Sequence, residues 1–95
     1  MQFAIISRRT TEGLTDDQVM PVVKKEIKAA KDFYQEGFIR QIWHRGDEPG
    51  AVLLLEADSL ETAKEKLSAL PMVKAGMLET EMIIPLTPYR GFAAD

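Results

Sequence analysis

Glu26 is the residue whose type and position most directly suggest chemistry. Apolar residues recur at helical spacing from about Thr15 to Glu36, and on a helical wheel Glu26 falls inside the apolar arc. A carboxylate buried on such a face has a raised pKa, so it can take up and return a proton near neutral pH. We therefore predict that Glu26 is catalytic. Three other roles stay open: a position at the edge of the face, an ion pair with a structural partner such as Arg40, and a simple polar contact to a ligand.

Arg40 and His44 are the next candidates because they have the same parity on a predicted strand over residues 38–45. Side chains of equal parity point to one face of a strand, so both can reach one cavity. We predict that Arg40 holds an anionic group of the substrate as a bidentate clamp and that His44 acts as a catalytic acid or base. The alternative for His44 is a solvated position at the strand end.

Two aromatic residues complete the predicted substrate-binding set. Trp43 lies on the same strand, and Tyr34 lies eight positions after Glu26 on the helix, about 80° away on the wheel. For Trp43 the alternative is packing in the core or in a dimer interface. For Tyr34 the alternative is core packing with its hydroxyl at the rim. Glu79 and Glu81 share a strand face and resemble a paired acid site, but a solvated or intersubunit face is the interpretation that we favour for them.

Composition and charge exclude several classes of protein. The chain has 95 residues, 45% apolar and 28% charged, which suits one globular domain over residues 1–95 with a small core. A net charge of −3 without a long basic run argues against nucleic-acid binding. No run approaches the roughly 20 apolar residues of a membrane span, and the N-terminus lacks an export signal. A cytoplasmic protein that binds neither nucleic acid nor membrane is expected.

Metal and cofactor sites are also not expected. One His and no Cys leave only carboxylates as further ligands, and their spacing resembles neither a calcium loop nor a facial triad. No glycine-rich phosphate loop follows a strand, and a single His does not support a Ser–His–acid arrangement.

Six elements must position these residues. The first helix begins at a capping box of Thr15 and Gln18, although Pro21 predicts either a kink or a later start, and Gly37 suits its C-terminal end. The second helix begins at Asp58 or Ser59. The predicted elements are a strand at 2–8, a helix at 15–36, strands at 38–45 and 51–56 joined by a turn-rich link, a helix that Pro71 ends, and a strand at 78–86.

This order, β-α-β-β-α-β, predicts a ferredoxin-like α+β fold with a four-stranded antiparallel sheet. The third strand is an unbroken apolar run, and the last strand is predicted to group Leu78, Thr80, Met82 and Ile84 on one face. Apolar side chains on both faces need a cover on the open face. We predict a second copy of the same sheet, which gives a dimeric α+β barrel; the alternative is a monomer. The tail Pro88–Phe92 is predicted to clip the neighbouring subunit or to close a pocket.

Four features of the chain resemble one known family. They are a glutamate within the first helix, a Glu-Gly step at its end, an Arg-x-x-Trp strand and a Leu-Pro step before the last strand, namely Glu26, Glu36-Gly37, Arg40, Trp43 and Leu70-Pro71. Their order over residues 20–88 resembles the muconolactone isomerase-like branch of the dimeric α+β barrel proteins, to which the YCII-like proteins are related. The hairpin at His44–Gly50 and the tail at Pro88–Phe92 depart from that branch.

The resemblance implies a homodimer or higher homo-oligomer and a cofactor-free isomerase that shifts a proton on a small lactone or organic acid. One alternative is a non-catalytic module of the YCII-like type, which binds a small acid or serves assembly. A second alternative is oxygen-dependent chemistry on an aromatic substrate. The volume of the cavity beside Glu26 separates the first two hypotheses, because an isomerase needs room for a six-carbon acid and a module can keep Glu26 in a filled core.

Overall fold

A computed structural model describes residues 1–93 and confirms the predicted order of elements. The four strands are β1 (Gln2–Arg9), β2 (Ile39–His44), β3 (Gly50–Glu56) and β4 (Leu78–Leu86). The helices are α1 (Asp16–Gln35), α2 (Leu60–Ser68) and the short α3 (Pro71–Lys74), followed after β4 by a 3-10 turn at Arg90–Ala93. Within residues 1–93, α3 and the 3-10 turn are the additions to the ferredoxin-like pattern.

The sheet has the strand order β2-β3-β1-β4, and every neighbouring pair is antiparallel. The helices cover one face of it. Alternate residues of β1 and β3 point to this covered face, where they form the centre of the core because burial of apolar side chains drives folding. The core consists of Phe3, Ile5, Phe38, Ile39, Leu53, Leu55, Ala63, Leu67 and Leu70.

Local signals at the start and end of α1 are confirmed. The Thr15 hydroxyl accepts a hydrogen bond from the Gln18 N–H, and the Gln18 side chain accepts one from the Thr15 N–H, which is the predicted capping box. Gly37 follows the helix with a φ of 88°, a left-handed conformation that glycine adopts readily. Pro21 lies inside a helix that runs continuously from Asp16, so it does not mark a later start.

The region around Pro71 differs in detail from the expectation. Ser59, one of the two predicted caps, accepts a hydrogen bond from the Thr62 N–H and begins α2. This helix ends at Ser68, before the proline, and Pro71 occupies the first turn of α3, where its missing N–H is not needed. No side chain of its own caps α3. A hydrogen-bond acceptor from elsewhere in the fold takes that role, as described below for Glu26.

Two β-bulges correct the predicted faces of the outer strands. In β4, Glu81 has no partner between the pairs Ile6–Met82 and Ser7–Thr80. A single inserted residue reverses the alternation of side chains. Thr80 therefore points to the covered face while Met82 points to the open one, so the predicted grouping of Leu78, Thr80, Met82 and Ile84 on one face is wrong. A second shift lies in β2, between Ile39 and Gln41.

The open face of the sheet carries a patch of exposed apolar side chains. Trp43 and Met82 are 51% and 48% exposed, and Ile84 and Leu86 are also exposed. By register, Ala4, Ile6, Val52 and Leu54 belong to the same face. We call this set the open-face patch. In the described part of the chain no helix is long and apolar enough to cross a membrane.

Candidate functional site

A cleft of about 960 Å³ opens between α1 and the covered face of the sheet. Its walls are mostly aliphatic, and its polar residues come from both the helices and the sheet. The lining residues are Ile5, Ser7, Arg9, Val23, Glu26, Ile27, Ala30, Lys31, Tyr34, Gln35, Ile39, Gln41, Ile42, His44, Gly50, Ala51, Leu53, Leu67, Leu70, Met72, Val73, Leu78 and Thr80. Small-molecule sites commonly have volumes of about 300–1,000 Å³ and similar walls. The cleft is large enough for a six-carbon acid.

Glu26 lies in the wall of this cleft, half-buried on α1. Its Oε1 accepts a hydrogen bond of 3.0 Å from the backbone N–H of Met72. Removal from water raises the pKa of the Glu26 carboxyl above its ordinary value, and the Met72 bond opposes that shift in part. Among residues 1–93 no Lys or Arg lies within ion-pair distance of Glu26. The structure therefore does not show the structural pair with Arg40.

The bond to Met72 also explains how α3 is held without a cap of its own. The first N–H groups of a helix have no partner within it, and a carboxylate there satisfies one of them and suits the positive end of the helix dipole. Pro71 supplies no N–H, so Met72 carries the first free donor of α3. Glu26 thus links α1 to α3 across the cleft, which gives it a structural contact in addition to its exposure to the cavity.

His44 and Tyr34 line the same cleft as Glu26. His44 ends β2 and pairs with Ala51 of β3, on the covered side of the sheet. Tyr34 lies near the end of α1 and is 61% exposed, so the alternative of core packing does not describe it. The structure thus brings together three of the five predicted site residues around one cavity.

Arg40 and Trp43 do not line this cleft. The bulge in β2 leaves Arg40 outside the regular pairing, so Ile39 and Ile42 both reach the covered face although they are three positions apart. The parity that placed Arg40 beside His44 does not hold across such a shift. Arg40 lies close enough to Glu56 to lower the pKa of that carboxyl, after the larger effect of the N-terminal amine. Trp43 pairs with Val52 and belongs to the open-face patch.

Arg9 is a charged cleft residue that the sequence analysis does not single out. It lies one residue beyond the strand predicted over 2–8, yet β1 continues through Arg9, and the alternation of Phe3, Ile5 and Ser7 extends to it. Its Nε donates to the Thr11 hydroxyl at 3.2 Å. The signal that was available is the two-residue period of β1, which needed only one further step.

The two acidic residues of β4 have structural partners. Arg45 crosses the end of the sheet and contacts Glu81 at 2.7 Å and Asp47 at 2.8 Å, and Arg8 contacts Glu79 at 3.5 Å. These pairs favour the alternative in which Glu79 and Glu81 do not form a paired acid site. Among residues 1–93 there is also no group of three or more His, Asp or Glu side chains placed to hold a metal ion.

The tail after β4 contains an aromatic pair. The rings of Tyr89 and Phe92 meet edge to face with centroids 4.7 Å apart, and both side chains are exposed. They contact each other at the start of the 3-10 turn. The predicted docking of this tail on a neighbouring subunit stays a prediction.

The strands and helices define a ferredoxin-like α+β domain with a cleft between its helices and its sheet, and solved structures share this fold. A muconolactone isomerase has a TM-score of 0.80 and 17% identity over 94% of this chain and 91% of its own. The 5-chloro-2-hydroxyhydroquinone dehydrochlorinase of Burkholderia phenoliruptrix AC1100, in complex with 2,5-dihydroxybenzoquinone, has a TM-score of 0.67 and 19% identity over the whole of both chains. At these identities the likeness concerns the fold.

Membership of a family is shown by the sequence and not by the shared fold. The profile of the muconolactone delta-isomerase family matches residues 1–91, and the chain belongs to that family. The resemblance found in the glutamate, the Glu-Gly step and the Arg-x-x-Trp strand is therefore confirmed. Among curated proteins no sequence matches the chain.

Proposed function

We propose that this protein is a cofactor-free isomerase that moves a proton on a small lactone or organic acid, with Glu26 as the group that carries the proton. The observation that supports it best is the half-buried Glu26 carboxylate in the wall of a cleft of about 960 Å³, with a pKa raised by burial. A raised pKa lets one carboxyl group serve as base and then as acid near neutral pH. Membership of the muconolactone delta-isomerase family supports the same reaction class.

The step needs only this group. With Oε1 held by the Met72 N–H, the other oxygen, Oε2, has no donor among residues 1–93 and is the one available to substrate. Oε2 takes a proton from a carbon next to the substrate carbonyl, and the C–H electron pair becomes the new double bond of an enolate. The carboxyl then returns the proton at the other end of the conjugated system. The double bond has moved, and no atom has been gained or lost.

The remaining polar residues of the cleft have supporting roles in this proposal. His44 stabilises or relays charge at the end of β2, and Tyr34 contacts the ligand at the end of α1. Substrate-binding roles for Arg40 and Trp43 stay predictions from sequence. The complex of the dehydrochlorinase with a six-membered ring compound supports a small cyclic ligand in a fold of this shape.

Proton exchange in D2O tests the proposal. Small unsaturated lactones are incubated with the protein and followed by NMR for deuterium uptake and for movement of the double bond. The wild type is expected to turn over at least one of them, and Glu26→Gln is expected to lose turnover while it keeps the fold and ligand binding. Glu65→Gln, an exposed glutamate of α2, is the matched control. Undiminished turnover by Glu26→Gln would remove this residue from the mechanism.

The contact between Glu26 and Met72 supports a second candidate, a non-catalytic binding module of the YCII-like type. In that case Glu26 is only the cap of α3, and the cleft holds a small acid without changing it. The same experiment separates the two candidates. If the protein is a binding module, the wild type binds the lactones but catalyses no deuterium exchange.

We also propose that the protein is a homodimer in which the open-face patch of one copy covers that of the other. Contiguous exposed apolar surface of this kind marks an interaction site, and a two-fold pairing of identical sheets covers both patches at once. Light scattering after size exclusion tests it: Trp43→Lys is expected to give monomers, whereas Leu14→Lys, at an exposed apolar residue off the sheet, keeps the dimer. A monomeric wild type contradicts the proposal. Cytoplasmic localisation stays a prediction.

A further inference from the structure

We propose that Arg9 selects the substrate by binding its carboxylate, so that the ligand lies with its charged end at the C-terminal end of β1 and its reactive carbon toward Glu26. The second half of this inference, in which the reactive carbon lies toward Glu26, rests on the proposed function. The first half, an anion site at Arg9, stands on the geometry of the cleft alone. Arg9 lines the cavity, whereas Arg40, which the sequence suggested as the clamp, does not.

The guanidinium of Arg9 lacks the carboxylate partners that Arg8 and Arg45 have. Arg8, the preceding residue, contacts Glu12 and Glu79, and Arg45 contacts three carboxylates. Arg9 lines a mainly aliphatic cleft, and within residues 1–93 no carboxylate lies within 4 Å of it. A half-buried charge without a counter-ion is costly, so an anionic ligand has a strong preference for this position.

The donors that remain on Arg9 suit a carboxylate. Only Nε is engaged within the described chain, by the Thr11 hydroxyl. The two terminal NH2 groups are left to the cleft, and a planar guanidinium edge matches the two oxygens of a carboxylate in bidentate fashion.

The backbone that carries Arg9 is held on both sides. Its N–H donates to the Pro49 carbonyl at 2.9 Å, and the N–H of Thr10 donates to the Met77 carbonyl at 2.9 Å. The Thr10 hydroxyl adds a bond of 2.7 Å to the Gly76 carbonyl. Because these bonds fix the end of β1, only the side chain of Arg9 has to be ordered when a ligand binds, and this lowers the entropic cost of binding.

The overall charge of the cleft favours the same ligand. Its formally charged residues are Arg9, Lys31 and Glu26, and burial favours the neutral form of Glu26. Lys31 is the competing anchor. It is exposed on α1, and a strongly hydrated ammonium group on a flexible side chain gives less geometric selection than a half-buried guanidinium.

Binding of benzoate and of its uncharged counterpart benzamide, followed by NMR titration, tests the anion site without any turnover. The wild type is expected to bind benzoate more tightly than benzamide. Arg9→Gln is expected to weaken benzoate binding about tenfold or more, which is the usual effect of losing a charge-assisted contact, and to leave benzamide binding unchanged. Arg9→Lys keeps the charge but not the planar guanidinium, so its affinity for benzoate is expected to lie between those of the wild type and Arg9→Gln. Arg8→Gln, on the other face of β1, is the matched control and keeps the wild-type affinity.

Three outcomes overturn the assignment. They are wild-type benzoate affinity in Arg9→Gln, equal binding of benzoate and benzamide by the wild type, and loss of benzoate binding in Lys31→Gln or Arg40→Gln in place of Arg9→Gln. Failure of the isomerase proposal looks different, because it leaves the benzoate results intact and shows only in the lactone exchange. If turnover is found, Arg9→Gln is expected to raise KM far more than it lowers kcat, whereas Glu26→Gln lowers kcat.

Discussion

Ionisation of Glu26 opposes folding, and this gives a measurable dependence of stability on pH. Burial raises the pKa of Glu26 in the folded state above its ordinary value of 4.5, which is close to its value in the unfolded chain. Below pH 4.5 both states hold the proton and nothing is lost. As the pH rises through the raised pKa, the unfolded chain releases its proton first, so the free energy of unfolding falls. The loss is about 1.4 kcal/mol for each unit by which the pKa is raised.

Two substitutions separate the charge of Glu26 from its hydrogen bond. The amide oxygen of Glu26→Gln still accepts from the Met72 N–H, so this variant should match the wild type within about 0.5 kcal/mol at low pH and become the more stable protein as pH rises. Glu26→Ala leaves the first free N–H of α3 without its partner. Relative to Glu26→Gln, loss of such a cap costs about 1–2 kcal/mol, and this difference should not depend on pH because neither variant titrates at this position.

Urea denaturation of the three proteins from about pH 4 to about pH 8 measures these differences. The difference between the wild type and Glu26→Gln is the decisive quantity, since other titrating groups cancel in it. Asp47 and Glu56 have lowered pKa values, so their contributions change at lower pH. If the wild type and Glu26→Gln change in parallel above pH 4.5, burial does not raise the pKa of Glu26 and the proton-transfer proposal loses its main support.

Two further predictions concern the β2–β3 hairpin. A methyl group at Gly50 would clash with the Ser7 carbonyl oxygen, so Gly50→Ala should lose about 2 kcal/mol or more in urea denaturation, whereas Gly46→Ala, with no atom close by, should be neutral; equal stabilities would contradict the close approach. Hydrogen bonds from Arg45 lower the pKa of Asp47 to about 2, so its stabilising effect is present above pH 3.8 and is lost as pH falls through about 2. NMR titration should show this pKa and its return toward 3.8 in Arg45→Gln; an unchanged value would exclude Arg45 as the cause.

Structural features that depend on residues close together in the sequence could be predicted from the sequence. The capping box of α1 needs only Thr15 and Gln18, and the apolar arc that contains Glu26 follows from the helical period. Both survive folding because an α-helix has a fixed repeat. For the same reason the helical wheel puts Glu26 and Tyr34 within reach of one cavity, and both residues line the cleft.

Residues on strands were harder to place, because one unpaired residue reverses every side chain beyond it. The bulge near Arg40 has no sequence signal that parity counting can use, and it separates Arg40 from His44. Arg9 was missed for a related reason: strand ends are uncertain by a residue or two, and here that uncertainty decides whether a guanidinium belongs to a loop or to the cleft.

The bulge at Glu81 has a consequence for the ligand that the cleft accepts. Ile83 is held on the covered face opposite Ile5, so uninterrupted alternation along β4 would direct Glu81 and Glu79 to that face as well. Two more carboxylates would then lie near Glu26, and the cleft would repel an organic acid. With Glu81 unpaired, Thr80 and Leu78 face the cleft instead, while the two glutamates contact Arg45 and Arg8. A single inserted residue thus leaves Arg9 without a carboxylate partner among residues 1–93, which is what the proposed anion site requires.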